Sequence, residues 1–119
     1  MNSITDIIGK SCQNLLQLCD KHHIAFNLDI ENPSLKIFQE KKLRDFITEE
    51  ASNAVKSAIH HKDGHVAIIQ KSIPGTNMAK ISVKYSGDCP TDAEKAALKE
   101  KGYEVRSRFG YDTVISIKL

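Results

Sequence analysis

No stretch of this 119-residue chain stays apolar for anything near the ~18 residues a membrane span needs. The opening residues Met1 to Asp6 lack the basic start and unbroken apolar run of a signal peptide, so a cytoplasmic setting is expected. Cysteine is scarce and odd in number. Cys12, Cys19 and Cys89 are not spaced as a disulfide framework and fit a reducing compartment. Charge of one sign is also scarce: 17 basic against 15 acidic residues leaves +2, too little to argue for nucleic acid. Aromatics are only 6% of the chain, with no tryptophan. No stacking motif interleaves the basic residues Lys80, Lys84, Arg106, Arg108 and Lys118 near Tyr103, Phe109 and Tyr111. That basic group reads as a solvated sheet face rather than a nucleic-acid surface. What is present, 40% hydrophobic and 27% charged residues, is the balance of one globular domain with its own core.

The patterning predicts a helix over 3–22. Ser3 and Asp6 resemble a capping box, and Ile4, Ile7, Ile8, Cys12, Leu15, Leu16 and Cys19 recur at helical spacing. Residues 24–30 alternate with period two, which predicts a strand with Ile24, Phe26, Leu28 and Ile30 inward. A turn and a short extended piece over 35–38 follow. A second helix is expected over 41–61, with Leu43, Phe46, Ile47, Ala51, Ala54, Val55 and Ala58 on one stripe. Strands over 66–72 and 79–85 flank a turn at Pro74 to Asn77. Thr91 and Glu94 form a capping box opening a helix to about Lys101, with Gly102 as its stop. A closing hairpin, 103–108 and 113–119, turns near Phe109 to Asp112. Hairpins dominate, so the fold class is α+β: a two-layer sandwich, a mixed or antiparallel sheet with helices on one face. The chain divides as an N-terminal helix, 1–22, and a body, 23–119.

The second helix carries Ile47-Thr48-Glu49-Glu50-Ala51-Ser52-Asn53-Ala54-Val55-Lys56. Glu49, Asn53 and Lys56 stand at i, i+4 and i+7, so their tips can converge. A carboxylate can orient or deprotonate an attacking group, an amide oxygen can ligate Mg²⁺, and an ammonium can balance phosphate. The same residues also fit the polar side of an ordinary amphipathic helix. This run resembles the N box of the histidine-kinase-like ATPases, the GHKL superfamily, and the order of elements over about 20–119 is similar to that of sensor-kinase catalytic domains. The resemblance implies their two-layer sandwich, with Glu49 base-like, Asn53 on Mg²⁺ and Lys56 on phosphate. It also implies bacterial two-component signalling.

The departures decide the functional expectation. Where the family places Asp-x-Gly-x-Gly, this chain has Tyr85-Ser86-Gly87-Asp88-Cys89. The adenine-binding Asp is Tyr85, and only Gly87 is kept. No glycine lies between Gly87 and Gly102, so the lid and phosphate loop are shortened away. The expectation is a degenerate, non-catalytic signalling or regulatory module with no cofactor and weak or absent ATP binding. It would bind a protein partner or a second copy through Ile4, Ile8, Leu15 and Leu16. The alternatives are a weak Mg-ATP-binding ATPase or kinase domain using Glu49, Asn53, Lys56 and Gly87, and an unrelated small α+β binding module. The histidines His22, His23, His60, His61 and His65 carry no metal-binding motif. Cys89 has no legible His partner as a nucleophile.

Overall fold

A computed structural model describes residues 2–87, 89–108 and 112–119. Asp88, and Phe109 to Tyr111 of the expected closing turn, lie outside the described residues. Helix α1 runs Ile4–Lys21 and strand β1 Ala25–Ile30. One long helix follows in three parts: α2, Glu40–Phe46, a π-helical turn, Ile47–Ala51, and α3, Ser52–Ala58. Strands β2, His65–Ser72, and β3, Ala79–Tyr85, form a hairpin. Helix α4, Asp92–Glu100, then leads to β4, Glu104–Arg106, and β5, Thr113–Lys118. The five strands lie in the order β1-β2-β3-β5-β4, with β1 parallel to β2 and the other pairs antiparallel. The sheet is therefore mixed, and the expected α+β class holds.

The core lies between one sheet face and the helices. Val66 and Ile68 of β2, Ile81 and Val83 of β3, and Ile115 and Ile117 of β5 are buried against α3 and its neighbours. The opposite face keeps its cations. The register sets Lys71, Lys80 and Lys118 side by side across three strands. Glu104 pairs with Lys118 at 3.1 Å and Lys80 at 3.4 Å, which relieves the crowding of like charge.

Several expectations need correction. Leu28 was expected inward but is 52% exposed, because β1 is an edge strand that the helices cover incompletely. Residues 35–38 form no strand; they contribute one bridge, Ser3 to Lys36, beside the start of α1. Tyr103 does not line the basic face. It is buried and packs edge-on against Phe46, ring centroids 5.0 Å apart. The apolar stripe of α1 is used inside the chain: Ile4 and Ile8 are fully buried against the long helix. Of the four residues expected to meet a partner, only Leu16 is exposed, and Leu15 is partly buried. Among the described residues no helix is long and apolar enough to cross a membrane.

The helix ends follow local chemistry. Ser3 Oγ accepts from Asp6 N, and Thr91 with Glu94 closes a reciprocal capping box. Both α1 and α4 end in the same six-residue loop. Ile24 N donates to Cys19 O and Tyr103 N to Leu98 O, across a left-handed residue in each case. At α4 that residue is Gly102; at α1 it is His23, with φ 57°.

Candidate functional site

A cleft of about 470 Å³ opens between the long helix and α4, at the end of β3. Glu50, Asn53 and Ser57 line one wall, at i, i+3 and i+7. Tyr85 and Ile115 supply the sheet side, and Glu94, Leu98 and Lys101 of α4 face them. Cys89, exposed, and Pro90 sit at the mouth.

The carboxylate that enters the cleft lies within a π-helical turn. Buried positions along the long helix run Leu43, Phe46, Ile47, Glu50, Ala51, Ala54, Val55 and Ala58. Glu50 thus occupies a place on the apolar stripe, four residues after Phe46 and four before Ala54. It is only 2% exposed. The π turn widens the helix at 47–51, with more residues per turn than an α-helix, a deviation that recurs at functional sites. Glu49 instead points outward and pairs with Lys101 Nζ at 3.3 Å. Lys56 is exposed and does not line the cleft. Of the three residues at N-box spacing, only Asn53 is brought to the cleft. Glu50, which the spacing passed over, joins it. Its signal was present in the sequence: a carboxylate in step with an apolar stripe.

Burial raises the Glu50 carboxyl above the ordinary range; Lys101 opposes this and Glu49 adds to it. Among the described residues no hydrogen bond reaches that carboxylate. Burial, then the Glu50 and Glu94 carboxylates, push the Tyr85 phenol up. Glu94 is partly committed, because Oε1 accepts from Thr91 N at 3.2 Å. Glu49 and Glu50 both act on Lys101, and Glu94 adds a second carboxylate to the cleft lining.

Gly87 lies beside the cleft, against its lining residues Ser57 and Tyr85. A Cβ there would overlap Ser57 Oγ and stand 3.0 Å from Ser57 Cβ and Tyr85 Cε2. Backbone at 87 can approach the helix only because it has no side chain. From Gly87, three residues lead to the Thr91 cap, and α4 follows at once.

The histidines do not converge. His65 Nε2 lies 2.8 Å from Asp112 Oδ2, and its Nδ1 3.1 Å from the Asp63 carbonyl. Among the described residues no group of three or more His, Cys, Asp or Glu is placed to hold a metal ion.

No family model matches the chain, and no curated protein matches it. Solved structures do. The nucleotide-free catalytic domain of the histidine kinase ThkA superposes with a TM-score of 0.77 at 14% identity, over 98% of this chain and 91% of that one. ThkA in complex with the response regulator TrrA gives 0.76 at 14% identity, over 100% of this chain and 40% of that one. Full-length ShkA in complex with AMPPNP gives 0.74 at 16%, over 97% and 29%. The likeness shows the fold: that of histidine-kinase catalytic domains, present here nearly from end to end.

Proposed function

We propose that this domain is a non-catalytic relative of the histidine-kinase catalytic fold, a regulatory module that works by binding a protein. One observation carries the reading. Tyr85, 6% exposed, stands at the end of β3 where the resemblance implies the adenine-binding carboxylate. A phenol ring there takes space that a purine would need. The rest of the cleft supports it. Asn53 offers one hard oxygen, but Lys56 faces away, Glu50 and Glu94 line the cleft, and Lys101 is already paired with Glu49, a poor setting for a triphosphate. The Gly87-to-Thr91 connection has no glycine loop to cradle phosphate. The donor set does not fit Mg-ATP.

ThkA is seen with a response regulator, and a protein partner is the corresponding proposal for this chain. The surface left for it is not the buried stripe of α1. Leu16 on α1 and Leu28 on the open edge strand β1 remain outward.

Calorimetric titration with Mg-ATP tests the reading. The expected Kd is weaker than about 1 mM, near −4 kcal/mol; micromolar binding sinks it. Asn53→Ala is the second arm. An exposed mid-helix Asn replaced by Ala should shift stability by less than about 1 kcal/mol, equally with and without Mg²⁺. A loss that depends on Mg²⁺ would favour the alternative, a surviving Mg-ATP site.

A further inference from the structure

We propose that the cleft is a binding site for a compact, flat organic cation of the amidinium or guanidinium class. The inference rests on the reading that the cleft does not serve Mg-ATP, and goes beyond it by naming what the cleft takes.

Glu50 carries the argument. A carboxylate that is 2% exposed normally accepts hydrogen bonds, because an unpaired buried oxygen costs free energy. None reaches Glu50 among the described residues, and Lys101, the one cation of the cleft, gives its hydrogen bond to Glu49. Its oxygens are not among the fully enclosed atoms left without a partner, so they meet the cleft that the side chain lines with their acceptors open. The size is that of a small-molecule site, within the roughly 300–1,000 Å³ such sites occupy.

The surroundings choose the sign and shape of the ligand. With Glu94 opposite and Glu49 behind, an anion is repelled and a cation is favoured. An amidinium or guanidinium matches a carboxylate with two parallel N–H donors. The Tyr85 ring offers a π surface for such a flat cation, and Leu98 with Ile115 supplies apolar contact for its body. Asn53 and Ser57 can accept or donate at the rim. A Lys-like ammonium would satisfy the charge but would not present two parallel donors to the carboxylate.

The test uses the whole chain and three probes: benzamidine, its neutral isostere benzamide, and Mg-ATP. Binding is read by calorimetry and by amide chemical shifts. Benzamidine is expected to bind at least about tenfold tighter than benzamide, a bidentate charge-assisted pair being worth that much or more. Glu50→Gln should abolish that preference. Ala97→Trp, on the exposed rim of α4, should block both probes without touching the core. If Glu50→Gln does not fold, the Ala97→Trp result decides. Equal binding of benzamidine and benzamide, an unchanged preference in Glu50→Gln, or unimpeded benzamidine binding in Ala97→Trp would each overturn the proposal. Micromolar Mg-ATP binding would instead remove the functional reading on which it rests, and the two failures are read in separate titrations.

Discussion

Gly87 and Ser57 are locked together: the backbone of one occupies the space into which a side chain on it would have to grow, directly against the Oγ and Cβ of the other. This contact ties the end of the sheet to the long helix and fixes the floor of the cleft. Gly87→Ala should therefore cost about 1–3 kcal/mol, the usual range for overpacking. Ser57→Gly should lower that cost in the same chain, after its own mid-helix penalty of about 1 kcal/mol is subtracted. Ser57→Ala should relieve only the Oγ overlap. Urea denaturation of the wild type, Gly87→Ala, Ser57→Gly and their double variant gives the coupling; additive costs would show that the segment simply moves aside.

The end of α1 carries His23 at φ 57°, in a loop whose counterpart at α4 uses glycine. A side chain in the left-handed region is strained, and glycine relieves it. His23→Gly is expected to raise stability by roughly 0.5–1 kcal/mol, and Gly102→Ala to lower it by about as much. Thermal denaturation of the two variants checks the opposite signs.

The charged form of His65 is favoured chiefly by its hydrogen bond to Asp112, with the Asp63 carbonyl adding to it. Its pKa is raised in the folded state. The stabilisation is thus fully present below the ordinary value of about 6.5 and lost as pH rises through the higher folded value. The His65 side chain is 41% exposed, so screening keeps the effect below about 1 kcal/mol. Urea midpoints should fall from about pH 5.5 to about pH 8.5, and His65→Gln should flatten that slope. A slope unchanged in His65→Gln would place the titrating group elsewhere.

Helix α1 belongs to the core of its own chain. Ile8→Ala should cost about 2–5 kcal/mol, and Leu16→Asp less than about 0.5 kcal/mol. Both denaturation midpoints should be independent of protein concentration. A midpoint that rises with concentration would place a second copy against this helix.

Most elements were legible because local signals agreed. Ser3 and Thr91 mark helix starts, Gly102 marks a stop, and period-two runs mark β2, β3 and β5. Leu28 misled because alternation says which side a residue faces, not whether anything covers that side. Edge position is a property of strand order, and β1 pairs with a strand about 40 residues away in sequence. The α1 stripe misled in the opposite sense: its partner, the long helix, is nearby in space yet invisible to a local pattern. The candidate site was half legible. Asn53 was singled out and lines the cleft, as does Tyr85, whereas Glu50 was passed over. The N-box spacing drew attention to Glu49, although the apolar stripe of the same helix already included position 50.

The one parallel pairing in the sheet sets an order of assembly. Strands β2 and β3 are joined by a short hairpin and can meet early, since closing a short loop loses little chain entropy. Strand β1 must wait until the long helix has been laid down between it and β2, and it brings with it α1, whose own stripe needs that same helix as a floor. Non-local pairing of this kind slows folding. Strand β1 also has one neighbour in the sheet among the described residues, and four of its six residues are exposed. The α1–β1 segment is therefore the natural last cooperative unit to dock and the first to detach, and its amide protons should exchange ahead of those in the β2–β3–β5 interior.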